Sequence, residues 1–74
     1  MNKLTFEVRG DHITLDALLK ATGLASSGGA AKVLIADGLV QVNGGVESRR
    51  GRKLRAGDVV ALAHAHITLV AASA

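Results

Sequence analysis

Residues 26–46 read Ser26-Ser27-Gly28-Gly29-Ala30-Ala31-Lys32-Val33-Leu34-Ile35-Ala36-Asp37-Gly38-Leu39-Val40-Gln41-Val42-Asn43-Gly44-Gly45-Val46, and two periodicities meet in them. In the first part, Ala31, Leu34 and Ile35 fall at i, i+3 and i+4, which lines one face of a helix. Serine ahead of the run is a good N-cap, and Gly38 just past it is the usual left-handed terminator. From Leu39 the period drops to two: Val40 and Val42 alternate with Gln41 and Asn43. Asn43-Gly44-Gly45 then supplies positive-φ residues for a tight hairpin before Val46. A helix that hands over to a hairpin predicts an α+β chain.

The flanks extend this pattern. Leu4, Phe6 and Val8 alternate with Thr5, Glu7 and Arg9, predicting a strand over residues 4–9 that Gly10-Asp11 ends. Thr14 is placed to cap a first helix, Asp16 suits the positive end of its dipole, and Leu15, Leu18, Leu19 and Thr22 share one face before Gly23 stops it. Further on, Ala56-Gly57-Asp58 reads as a turn, Val59 to Ala63 as a strand and His66 to Val70 as another, with 71–74 a frayed tail. Without a repeat or proline-rich linker, residues 1–74 read as one domain: two helices packed on a small antiparallel sheet.

Composition narrows the function. A chain of 74 residues buries only roughly 60% of the surface its unfolded form exposes, which counts against an elaborate catalytic cavity. The absence of cysteine excludes disulfide frameworks, thiolate metal sites and cysteine nucleophiles. The first residues lack the apolar block of a signal peptide, and no apolar run approaches a membrane span, so a soluble, cytoplasmic protein is expected.

The net charge of +3 is localised. Residues 1–48 sum to slightly negative, whereas Arg49, Arg50, Arg52, Lys53 and Arg55 crowd into one segment broken by Gly51 and Leu54. Neither a core nor a turn requires such crowding, and the mutual repulsion calls for solvent or a polyanion. The guanidinium fork suits phosphate oxygens. Single-strand readers stack bases on aromatic rings, yet Phe6 is the one aromatic residue and its alternation places it in a core. The expected mode is therefore contact with backbone phosphates and shape. A lipid surface is disfavoured because no apolar face flanks the cations.

Other chemistries fail on spacing. Gly23 to Gly28 starts like a phosphate-binding loop but lacks the Lys-Ser/Thr that must follow its last glycine. His64 and His66, expected on one face of a strand, are too few for a zinc site, so no metal and no other cofactor is expected. Ser26 and Ser27 carry no nucleophile signature, and Asp16, Asp37 and Asp58 are explained as caps and turns, so no catalytic residue is assigned. The glycines in the first turn of the second helix mark a place where protein or ligand approaches the backbone.

Five pieces in order carry a family resemblance: Leu15-Asp16-Ala17-Leu18-Leu19, Gly23-Leu24-Ala25-Ser26-Ser27, Ala31-Lys32-Val33-Leu34-Ile35, Gly38 to Gly44, and Gly57-Asp58-Val59-Val60. Together they resemble the RNA-binding domain of ribosomal small-subunit protein four, the alpha-L motif, over roughly residues 14–62, and in particular its small stand-alone bacterial members with added edge strands. The resemblance implies a basic surface for structured RNA, ribosomal or transfer RNA. Lys32, Asn43, Gly44 and the basic residues after them match its RNA-facing surface. Larger members carry arginine where this chain has Gly28; backbone amides of Ser26, Ser27, Gly28 and Gly29 at the helix start are the replacement candidates for that phosphate contact.

The sequence thus points to a non-enzymatic binder of structured RNA through Lys32, Asn43, Gly44, Arg49, Arg50, Arg52, Lys53 and Arg55, with no small-molecule substrate. The rival is a protein-interaction adaptor that offers the same basic face to an acidic protein or ribonucleoprotein. A third reading is an accessory domain delivering RNA to a separate modifying enzyme.

Overall fold

The computed structural model describes residues 2–72. Strand β1 (Asn2–Val8) leads through Gly10, at φ +79°, into the short strand β2 (Ile13–Thr14) and helix α1 (Leu15–Ala21). Helix α2 (Gly28–Ala36) follows, then β3 (Val40–Val42), β4 (Gly45–Val46), β5 (Lys53–Leu54), β6 (Val59–Leu62) and β7 (Ala65–Ala71). The main sheet runs β1-β7-β6-β3-β4, and β2 pairs with β5 in a second, two-stranded sheet.

The locally coded elements form where the spacing puts them. Helix α2 is capped by Ser27, whose side chain accepts from the Ala30 amide at 3.1 Å, and it ends at Gly38 with φ +75°. Helix α1 ends at Thr22 and Gly23, the latter at φ +78°. Asn43 and Gly44 both take positive φ, +52° and +86°, the backbone that a two-residue hairpin needs to match strand twist. Leu15, Leu18 and Leu19 are fully buried, as are Ile35, Val40, Leu54, Val60, Ile67 and Leu69. These side chains form one cluster between the helices and one face of the sheet, with Phe6 and Leu34 partly buried against it. Full burial of each such side chain is worth about 1.5–3 kcal/mol.

The non-local features differ from expectation. The hairpins β3–β4 and β6–β7 and the pair β3–β6 are antiparallel, but β1 joins β7 in parallel, so the sheet is mixed. The stretch 71–74 does not begin as a frayed tail: Ala71 pairs with Val8, and the Ala72 amide donates to the Val8 carbonyl; residues 73–74 lie outside the described residues. His64 sits in the turn between β6 and β7, not on a strand beside His66, because Ala63 adopts φ +53° and closes the hairpin there. Thr14 is the N-cap of α1 by position, yet its side chain makes no capping bond.

Candidate nucleic-acid interface

What caps α1 is the basic segment. The amides of Leu15 and Asp16 donate to the carbonyls of Arg52 and Arg50 at 2.9 and 3.1 Å. These are orphan donors of a helix start, which must find an acceptor wherever water is excluded. The β2–β5 pairing, Ile13 opposite Leu54 and Thr14 opposite Lys53, holds the same segment one step further along. Leu54 is fully buried while Lys53 beside it is exposed. The period-two alternation of a strand thus drives the apolar residue inward and the cation outward.

A buried carboxylate organises the cations. Glu47 is only 7% exposed, the one buried polar or charged residue among those described. Its Oε1 accepts from Arg52 Nη1 at 2.8 Å, and its Oε2 from the Arg49 amide and Arg49 Nε at 3.2 and 3.4 Å. The bond from Arg52 holds the Glu47 carboxyl well below its usual range, at about 2, with the Arg49 bonds adding to it against the opposing effect of burial. Charge repulsion in the segment is therefore relieved in part within the chain, not by solvent or polyanion alone: Arg55 also lies 3.5 Å from Asp11. Among the described residues, Arg50 and Lys53 make no ion pair, and both are exposed.

Arg49, Gly51, Arg52 and Lys53 line one open concavity. The Arg49 side chain is 78% exposed despite its contact with Glu47, so its guanidinium is shared between the carboxylate and solvent. Arg52 is half-buried. Of these cations, Arg52 is held by its side chain through Glu47, whereas Lys53 is held by its backbone, through the pairing with Thr14.

Asn43 has a structural task. Its Oδ1 accepts from the Val59 amide at 2.9 Å and its Nδ2 donates to Asp58 Oδ1 at 3.1 Å, tying the β3–β4 hairpin to the start of β6. Asp58 also accepts from the Arg55 amide at 2.9 Å, the main reason its carboxyl is lowered. Gly44 stays exposed at the hairpin tip. Ser26, Ser27 and Gly29 are exposed at the start of α2, and Lys32 is exposed farther along it. Among the described residues nothing approaches the two glycines closely: a Cβ on Gly28 would lie 4.0 Å from Lys20 Cδ, and one on Gly29 3.8 Å from Ser27 Oγ. No hydrogen bond or ion pair among the described residues links the start of α2 to the Arg49–Arg55 segment.

Sequence reasoning missed Glu47 and Asp11. The signal for Glu47 was a lone acid two and five residues ahead of arginines, but only the packed structure shows that it is buried.

The comparisons with known proteins agree with this architecture. The S4 domain family matches residues 6–70. The "Putative RNA-binding protein YbcJ" of Escherichia coli (strain K12) is 43% identical over 60 residues, covering 81% of this chain and 86% of that one. The "Probable ribosome maturation protein RlbA" of Bacillus subtilis (strain 168) is 48% identical over 48 residues, 65% of this chain and 68% of that one. The solution structure of Escherichia coli YbcJ, described as an αL motif involved in RNA binding, superposes with a TM-score of 0.73 at 40% identity over 96% of this chain and 91% of that one. With two helices, a mixed five-stranded sheet and a small second sheet, this chain belongs to the S4-domain family and carries the αL motif.

Proposed function

We infer that this chain is a non-enzymatic RNA-binding protein that reads folded RNA through backbone phosphates. The observation that carries the reading is the concavity lined by Arg49, Gly51, Arg52 and Lys53, held in shape by buried Glu47 and by the start of α1. Arg50, Arg55 and Lys32 extend the cationic surface, Gly44 leaves the hairpin tip open, and Asn43 serves the turn. Ser26 to Gly29 offer amides to a further phosphate. The names of the relatives support RNA as the partner, ribosomal or transfer RNA, and that of the Bacillus subtilis relative names a role in ribosome maturation. A folded-RNA partner supports a cytoplasmic location.

Each phosphate contact releases condensed counterions, so affinity falls with salt. About three to five contacts give a log-log slope of roughly −2 to −4. Titrating a folded ribosomal RNA fragment at several salt concentrations measures it, and a flat response sinks the reading. Pull-downs with and without ribonuclease separate it from the adaptor reading: partners that survive the nuclease are held by protein contacts.

A further inference from the structure

The sheet has one long open edge. Strand β1 pairs with β7 on one side, and among the described residues no strand pairs with its other side. The Val8 carbonyl accepts from the Ala72 amide, so Val8 directs its backbone groups toward β7. The β1–β7 register is unbroken from Asn2 to Val8, so Leu4 and Phe6 do the same. The intervening residues Lys3, Thr5 and Glu7 therefore direct their N–H and C=O groups outward from the open edge. Their side chains are exposed, on the sheet face away from the helices.

An open edge of this length is a template for another strand, and natural edges are commonly blunted by proline, a bulge or charged side chains, lysine above all. β1 has no proline and its register with β7 is unbroken, so its charges are the one blunting device it carries. These charges are of opposite sign and symmetric about Thr5, with Lys3 two residues before it and Glu7 two after.

We propose that β1 is a self-pairing edge: two copies of this chain associate through antiparallel β1 strands, with Thr5 on the two-fold axis. In that register Lys3 faces Glu7 of the second copy and Glu7 faces its Lys3. All three outward-directed residues become hydrogen-bonded pairs, giving about six backbone hydrogen bonds. On the other face, Leu4, left 36% exposed in one chain, lies beside Phe6 of the second copy. The neighbouring registers are worse. A two-fold on Lys3 or Glu7 sets identical charges opposite each other, one on Phe6 sets Lys3 against Arg9, and one on Leu4 shortens the pairing. The two five-stranded sheets join into one continuous sheet, and the assembly carries two basic loops. The interface is small, so the association is weak.

Sedimentation equilibrium of the full chain from micromolar to millimolar concentration tests it. The expected result is a reversible dimer whose dissociation constant rises roughly tenfold in Lys3→Glu and in Glu7→Lys, because each substitution puts two like-charged pairs in the interface. The double variant Lys3→Glu/Glu7→Lys restores opposite pairs and recovers the original constant. Thr5→Pro removes an amide that points away from β7, so it abolishes dimers while circular dichroism shows the monomer still folded. A chain that stays monomeric throughout overturns the proposal, as does a dimer indifferent to both the charge variants and Thr5→Pro.

Discussion

Gly28→Arg tests whether the start of α2 faces the RNA. Gly28 lies in the first turn of α2 and its backbone is not left-handed, so any residue fits its conformation. A Cβ there meets only Lys20 Cδ, at 4.0 Å, the far part of a flexible exposed side chain. Replacing glycine in a helix gains up to about 1 kcal/mol of propensity. A cation at a helix N-terminus opposes the dipole by about 0.3–1 kcal/mol, so the two effects nearly cancel. The melting temperature should move by less than about 6 °C, given that 1 kcal/mol shifts a domain of this size by about 4–8 °C. The Gly28→Ala control lacks the charge and should melt higher. In RNA binding, one new phosphate contact steepens the log-log salt slope by about 0.7–0.9 and raises affinity at low salt, while Gly28→Ala leaves both unchanged. Filter binding of a folded RNA at four or more salt concentrations reads the slope. A folded Gly28→Arg protein with unaltered slope and affinity refutes the reasoning, because it shows that this end of α2 points away from the RNA.

Three further outcomes concern the basic segment and the acid buried beneath it. Arg50→Ala/Lys53→Ala removes two cations without ion pairs, so it should flatten the salt slope by about two contacts while stability stays within about 0.5 kcal/mol; Arg52→Ala should instead lower both RNA affinity and melting temperature, because it strips buried Glu47 of its closest partner. The Glu47 carboxyl titrates near 2 in the folded chain against an ordinary 4.5, so its contribution is full above about pH 4.5 and is lost as pH falls toward 2. Asp58, also lowered, adds with the same sign. Melting temperatures measured down this acid limb should fall less steeply for Glu47→Gln than for the parent chain, and parallel curves would contradict the assignment.

Those parts of the molecule whose cause lies within a few residues were legible before any coordinates. Helix α2 has its cap, its Ala31/Ile35 stripe and its terminating glycine inside one short stretch, and the Asn43-Gly44 hairpin needs only two residues able to take positive φ. The charge of residues 49–55 was equally plain, since counting needs no coordinates. Features that depend on residues far apart in the chain emerged only from the folded packing. The parallel docking of β1 on β7 joins positions about sixty residues apart, and parallel pairing leaves no hairpin signature to read. The basic segment read only as a cluster of like charges, yet Leu54 anchors it and its Arg50 and Arg52 carbonyls accept from the amides that start α1. Local pattern could not show this, because Thr14 already satisfied the residue preference for a cap. Glu47 looked like one more surface acid; burial made it the group that holds Arg49 and Arg52 in place. Charge sign is a property of composition, but which cations stay available to a phosphate is set by desolvation and ion pairing, and those exist only once the chain has folded.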